Sequence, residues 1–191
     1  MGYGLCNYCE FFSDLRQHTP SNWEFAFDAH AKVFEPIRAL QLANALADYD
    51  PYFYEEPIRS EHIPAWSQLR SQIQVPLATG ECLYTRFEFL DLITEKGADI
   101  IQPDLCVCGG LLEMKKIAAI GEARYVSITP HNPMGRLATA VNLHFALSTP
   151  NFKILEYNLP DAYPWVDEPY LPKDGYLEIR DRPGLGIDII E

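Results

Sequence analysis

The chain is poor in positive charge. Against 27 acidic residues it carries only 15 Lys and Arg, leaving a formal charge of -12 over 191 residues. Such a surface repels phosphate backbones, so nucleic acid is not expected as a partner. Long apolar runs are lacking too. No stretch approaches the roughly 20 apolar residues that cross a bilayer, and no signal peptide opens the chain, so no membrane partner is expected. Cysteine is scarce and odd in number: Cys6, Cys9, Cys82, Cys106 and Cys108. A scattered odd set does not make a secreted disulfide framework, and a reducing cytoplasm is the expected compartment. Cys6 and Cys9 have the spacing of half a zinc site, but a structural zinc takes four ligands. The other close pair, Cys106 and Cys108, is wrongly spaced and far away, so these thiols read as buried or incidental. A dinucleotide fingerprint is missing as well, because "MGYGLC" lacks the third glycine and "PGLG" at 183–186 opens no helix.

What is present is a core. A hydrophobic content of 48% and an aromatic content of 13% suit one packed domain. Short β-rich runs, "WEFAFD" (23–28), "YFYE" (52–55), "VPLATG" (75–80), "DIIQPD" (99–104), "YVSITP" (125–130) and "FKILEY" (152–157), alternate with amphipathic stretches near 36–48, 64–73, 85–96, 110–121 and 136–148. Pro36 stands where a first helical turn tolerates proline, and Thr85 to Glu88, "TRFE", has the form of a capping box. This alternation predicts a parallel sheet of right-handed βα units.

The ends of the runs carry the sharper signal. Asp28, Glu55, Glu81, Asp104, His131 and Glu156 each close a strand-like run, at spacings of 27, 26, 23, 27 and 25 residues. In a (β/α) barrel such strand ends converge on one mouth, where active sites are built. A doubly wound sheet would spread the same six along an edge, so the barrel is the better reading. Any one of these acids alone would more often be a helix cap, but six in phase are not explained that way.

Brought together, Asp28, Glu55 and Glu81 would be three carboxylates, a donor set for a hard divalent cation, Mg2+ above all. Without a cation they would repel one another. Of Glu55 and Glu56 only one can face the mouth, and the other should be paired or solvated. His131 in "TPHNP" stands one strand after Asp104, a base with an orienting carboxylate. In "FAFDAHAK" (25–32), strand alternation would put His30 on the same face as Asp28, flanking a bound substrate. One histidine can then take a proton while the other gives one. Abstraction beside a carboxylate forms an enediolate, which a divalent cation and a protonated Glu156 would stabilise. Protonation of the neighbouring hydroxyl by His30 then releases water, which is a dehydration of a hydroxy acid. Arg86 and Asn132 border the mouth as candidate substrate contacts. His144, mid-helix in "AVNLHFAL", is expected to be packed, and His18 and His62 in polar turns receive no role.

The motifs "FDAHAK", "FYEEP", "LATGECLYTRFEF", "IIQPDLCVCGG", "TPHNPMG" and "PGLGIDI" resemble, in order and spacing, the enolase superfamily. The resemblance is to its mandelate racemase/muconate lactonizing enzyme type, and within that to the D-galactonate dehydratases. It implies an α/β fold: a partial TIM-type (β/α) barrel, strands three to eight of the superfamily barrel, with the N-terminal capping domain absent. Residues 1–22 form a poorly matching lead, 23–157 the barrel portion with the catalytic residues, and 158–191 a segment returning toward the capping domain. The resemblance implies Mg2+ on Asp28, Glu55 and Glu81, a base pair of His131 and Asp104, His30 as the acid for the 3-hydroxyl, and Glu156 as electrophile. No lysine stands in "QPDLC", which argues against the lysine-based branches. The implied reaction is dehydration of a galactonate-like sugar acid to a 2-keto-3-deoxy acid. The alternatives are a racemase or epimerase on the same scaffold, or a silent fragment. The implied partners are a sugar-acid substrate and a homo-oligomer or a missing N-terminal portion.

Overall fold

The computed structural model describes residues 5–158 and 165–190; the segment 158–191 named above therefore lies partly outside the described residues. Contacts divide the chain into two compact units, Met1–Gly80 with Asp91–Ile100 and Glu81–Leu90 with Ile101–Glu191.

The first unit is built from α1 (Leu5–His18), β1 (Phe27–Asp28), α2 (Pro36–Leu46), β2 (Tyr54–Glu55), α3 (Ile63–Arg70) and β3 (Leu77–Thr79). The strands pair in parallel, Phe27 opposite Tyr54, Asp28 opposite Glu55, and Glu55 opposite Ala78. Parallel neighbours need a crossover, and α2 and α3 supply it. Pro36 sits in the first turn of α2, and Ala39, Leu42, Ala43 and Leu46 form its buried stripe. The helix stops at Leu46 and tightens into a 3-10 turn, Ala47–Tyr49, before Asp50 turns left-handed at φ 48°. His62, given no role from sequence, caps α3 by accepting the Ala65 amide on Nδ1 at 3.3 Å. Arg70 pairs with Asp99 at 2.5 Å, and the same carboxylate accepts the Leu77 amide at 2.8 Å, which pins the start of β3. Helix α1 falls where the sequence suggested no element. Phe12 of that helix meets Phe27 edge-on at 5.6 Å, and Phe27 meets Tyr54 at 5.4 Å, so an aromatic stack holds the helix to β1. Burial, with Tyr8 and Asp28 nearby, pushes the Tyr54 phenol up.

The second unit contains α5 (Leu111–Glu122), β5 (Ser127–Ile128) and α6 (Arg136–Leu147). The remaining elements, α4 (Arg86–Thr94) and β4 (Ile100–Ile101), are divided between the units. The Thr129 amide donates to Ile101 at 3.0 Å, and Lys153 donates to Ile128 at 3.0 Å. The strand expected at 152–157 is only a single bridge at Phe152. Toward its end the Glu156 carbonyl is taken by the Asn132 carboxamide at 3.0 Å instead of by a ladder. The expected capping box is displaced by one residue, because Glu88 reaches back to the Tyr84 amide at 2.6 Å rather than to Thr85. After Trp165 the chain folds against α6. Tyr170 packs with Ala140 and Leu143 and donates its hydroxyl to the Leu185 carbonyl at 3.0 Å. Arg180 lies over the Tyr170 ring at 4.5 Å. Gly186, at φ 70°, passes so close to the Tyr170 hydroxyl that a Cβ has no room.

Asp167 clasps this last segment, accepting the Asp188 amide at 2.8 Å and Arg182 at 3.0 Å. The Asp188 amide above all, with Arg182, holds its carboxyl at about 2 against an ordinary 3.8. A depressed acid contributes stability that is present above its unfolded value and lost as pH falls through the folded one. The Asp188 amide should therefore exchange with solvent faster as pH falls from 3.8 toward about 2, beyond the intrinsic rate change. In Asp167→Asn that extra step should vanish, as read by hydrogen exchange.

Candidate active site

In the first unit β1 ends at Asp28 and β2 at Glu55, directly opposite. Asp28 turns back on its own chain: Oδ1 accepts the His30 amide at 2.5 Å, and Oδ2 lies 3.3 Å from His30 Nδ1. Strand alternation is not what places His30. The strand stops at Asp28, and His30 and Ala31 are both left-handed at φ 52°. An aspartate turn brings the ring beside the carboxylate instead. Of the two adjacent glutamates, Glu55 is half-buried, whereas Glu56 is 1% exposed. The Glu56 carboxylate accepts Thr79 Oγ1 at 2.6 Å and the Gly80 amide at 2.9 Å, and its carbonyl accepts the Ala31 amide at 2.7 Å. The loops after β1 and β3 are thus tied to one residue that the sequence pattern left aside.

In the second unit Asp104 and His131 are bridge partners at neighbouring strand ends. Asp104 is 1% exposed. Its Oδ1 accepts the Cys106 amide at 2.6 Å, leaving Oδ2 to receive His131 Nδ1 at 2.9 Å. A proton on Nδ1 leaves Nε2 as the basic nitrogen, aimed at Glu81 Oε2 3.5 Å away. Burial opposes the charged imidazole, but the Asp104 bond together with the charges of Glu81 and Glu156 outweighs it and raises His131 above its ordinary value. Glu156 accepts the Asn132 amide on Oε2 at 2.7 Å and Asn158 Nδ2 on Oε1 at 3.3 Å.

The two expected substrate contacts are engaged elsewhere in this structure. Asn132 is 2% exposed, with its carboxamide shared among Thr139, Asn142 and Glu156. Arg86 grips Glu113, with Nη1 at 2.6 and 2.8 Å from the two oxygens and its amide at 3.0 Å. The Arg86 amide, ahead of the guanidinium, holds the Glu113 carboxyl below its usual range. No local signal marked Glu113, because an acid in the first turn of a helix is ordinarily explained by the helix dipole. Cys108 is buried, which pushes its thiol up to about 11, while Cys106 is exposed.

Chemically, the second unit holds a base oriented by a carboxylate beside two further carboxylates. The first holds two strand-end acids in register and a histidine. Asp28 and Glu55 in the first unit and Glu81 in the second are carboxylates, the donor type that a hard cation takes. Among the described residues no group of three His, Cys, Asp or Glu side chains is close enough to hold a metal ion.

Comparison with known proteins agrees with this architecture. The family model for the enolase C-terminal domain-like fold matches residues 8–191. D-galactonate dehydratase of Cronobacter sakazakii is 34% identical over 188 residues, covering 94% of this chain and 49% of that protein. An enolase from Agrobacterium radiobacter, solved with Na and L-malate bound, superposes with a TM-score of 0.94 at 52% identity, over 97% of this chain and 51% of that one. A racemase from Streptomyces coelicolor with bound magnesium gives a TM-score of 0.88 at 26% identity, over 98% and 50%. The chain spans about half the length of the relatives it matches. From its strand-end acids to its closing glycine loop, it belongs to the enolase C-terminal domain-like family, with the partial (β/α)-barrel fold that membership carries.

Proposed function

We propose that this chain carries the metal-holding and proton-transfer residues of a magnesium-dependent dehydratase, which converts a galactonate-like sugar acid to a 2-keto-3-deoxy acid. The observation that supports this best is the Asp104–His131 pair, with Nδ1 held at 2.9 Å and Nε2 left basic. The 34% identity with D-galactonate dehydratases supports the substrate class. Asp28, Glu55 and Glu81 would hold the cation, which when bound supplies positive charge beside the substrate carboxylate. His131 Nε2 takes the proton alpha to that carboxylate, and Asp104 keeps the resulting imidazolium oriented. His30 delivers a proton to the 3-hydroxyl as the C–O bond breaks, so water leaves and the enol product tautomerises to the keto acid. Glu156 is the electrophilic neighbour of the substrate carboxylate.

A second reading, racemisation or epimerisation on the same residues, is supported by the likeness to the Streptomyces racemase. Incubation with magnesium and a panel of sugar acids in deuterated water separates the two. Formation of a 2-keto-3-deoxy acid, abolished by a chelator, is the expected result. Exchange at C2 without loss of water would replace the dehydratase by the racemase, and neither event would mean a silent fragment.

His30→Asn should lower dehydration by about 10²–10⁴-fold, the usual share of a general acid, while C2 exchange persists. Loss of both in a folded protein would remove His30 from the acid role.

The rate should also climb with pH through the His131 titration, since only the neutral ring accepts a proton. Asp104→Asn should move that limb to lower pH and cost about 10–100-fold in rate, because the ring loses both its orienter and a neighbouring charge. The imidazole titration, followed by NMR, checks the shift directly.

A further inference from the structure

Asn142 lies in the middle of α6 with no exposed surface. It shares the buried face of that helix with Ala138, Thr139 and Leu143. Its Nδ2 donates to Asn132 Oδ1 at 3.0 Å. Asn132 then spends the two hydrogens of its own amide on Thr139 Oγ1 and on the Glu156 carbonyl, both at 3.0 Å. Its backbone amide donates to Glu156 Oε2 at 2.7 Å. Thr139 passes its own hydrogen to Gly135 at 3.1 Å, so the cluster is anchored at the start of the helix as well as its middle. One residue, adjacent in sequence to His131, therefore holds both the main chain and the carboxylate of Glu156.

The direction of the Asn132 carboxamide decides whether this works. Turned over, it would aim an oxygen at the Glu156 carbonyl, two acceptors facing each other. The Thr139 hydroxyl can serve either orientation, because it donates and accepts. Asn142 is the partner that selects one, by offering a hydrogen to the oxygen side. Its own Oδ1 has no partner among the described residues. A buried amide used on one side only is a poor way to stabilise a helix packed into a core. What it does supply is orientation.

We propose that Asn142 is a positioning residue for the reaction: acting through Asn132, it sets where the Glu156 carboxylate and the His131 loop stand. It touches no substrate itself. The kinetic consequence rests on the roles given above to Glu156 and His131, whereas the relay itself can be read without any activity.

The decisive variant is Asn142→Asp, which keeps size and polarity but replaces the donor with an acceptor. The Asn132 amide must then turn toward it and release Glu156. Hydrogen exchange by NMR on the full chain should show the Asn132 backbone amide exchanging at least tenfold faster, with the amides of α6, Ile128 and Lys153 unchanged. Thr139→Val, which removes the other support, should speed the same amide and serves if the first variant does not fold. Unchanged exchange at Asn132 in the folded variants, or equal acceleration throughout the second unit, would overturn the proposal. In an active preparation, Asn142→Asp should lower kcat about tenfold with KM within twofold, and the effect should disappear in a Glu156→Gln background. A loss that adds in full to that of Glu156→Gln would reduce Asn142 to packing. Absence of dehydration in the parent chain would count against the dehydratase alone and leave the exchange result to decide the relay.

Discussion

A carboxylate oxygen accepting a backbone amide just past the end of a strand is the interaction on which each unit depends. Asp28 takes the amide of His30, Glu56 that of Gly80, Asp104 that of Cys106 and Glu156 that of Asn132. Each bond closes a loop, and at Gly80 and Asn132 it gives a buried residue's amide its partner. A hydrogen bond to a charged acceptor contributes more than a neutral one, about 1.5–3 kcal/mol when well made. It also explains how a chain with 27 acids and 15 bases can bury Glu56 and Asp104. They are satisfied by main-chain N–H groups, which every residue but proline carries, rather than by scarce cations.

The same interaction separates structure from chemistry within one side chain. Asp104 gives one oxygen to the backbone and the other to His131, so the imidazole inherits the rigidity of the strand end. Asp28 does likewise for His30, though on an exposed turn and with a longer contact. Glu56 is the limiting case, buried at 1% exposure and committed to Thr79 and Gly80. Its neighbour Glu55 is thereby fixed in register opposite Asp28. The Asp104–His131 pair sits in a setting where burial and carboxylate charge oppose each other over His131, and the charge prevails.

Much of this was legible in the residues because it depends on local order. Strand–helix alternation, the rhythm of acids at strand ends and the proline and glycine at helix starts are all read over a few neighbours. The five helices expected from periodicity are present with ends shifted by at most three residues, as fraying and local capping allow. Helix α1 was missed because its stretch is polar on average and its hold on β1 is an aromatic contact between Phe12 and Phe27, fifteen positions apart. The strand at 152–157 was expected because its composition is β-like. It is cut to one bridge, and toward its end a side chain, Asn132, occupies the carbonyl a ladder would need.

The sequence by itself determined the family, the alternating α/β order and the identities of the strand-end acids and histidines, since these follow from residue type and spacing. Only the tertiary structure decided which of two adjacent glutamates is buried, that His30 meets Asp28 through a left-handed turn, and that Arg86 grips Glu113. It also decided that Asn132 faces Asn142 inside the protein. The physical reason is that a polar side chain takes whatever partner the folded backbone brings within about 3 Å. Asn132 and Asn142 are ten positions apart, and Arg86 and Glu113 twenty-seven. No local pattern records such meetings.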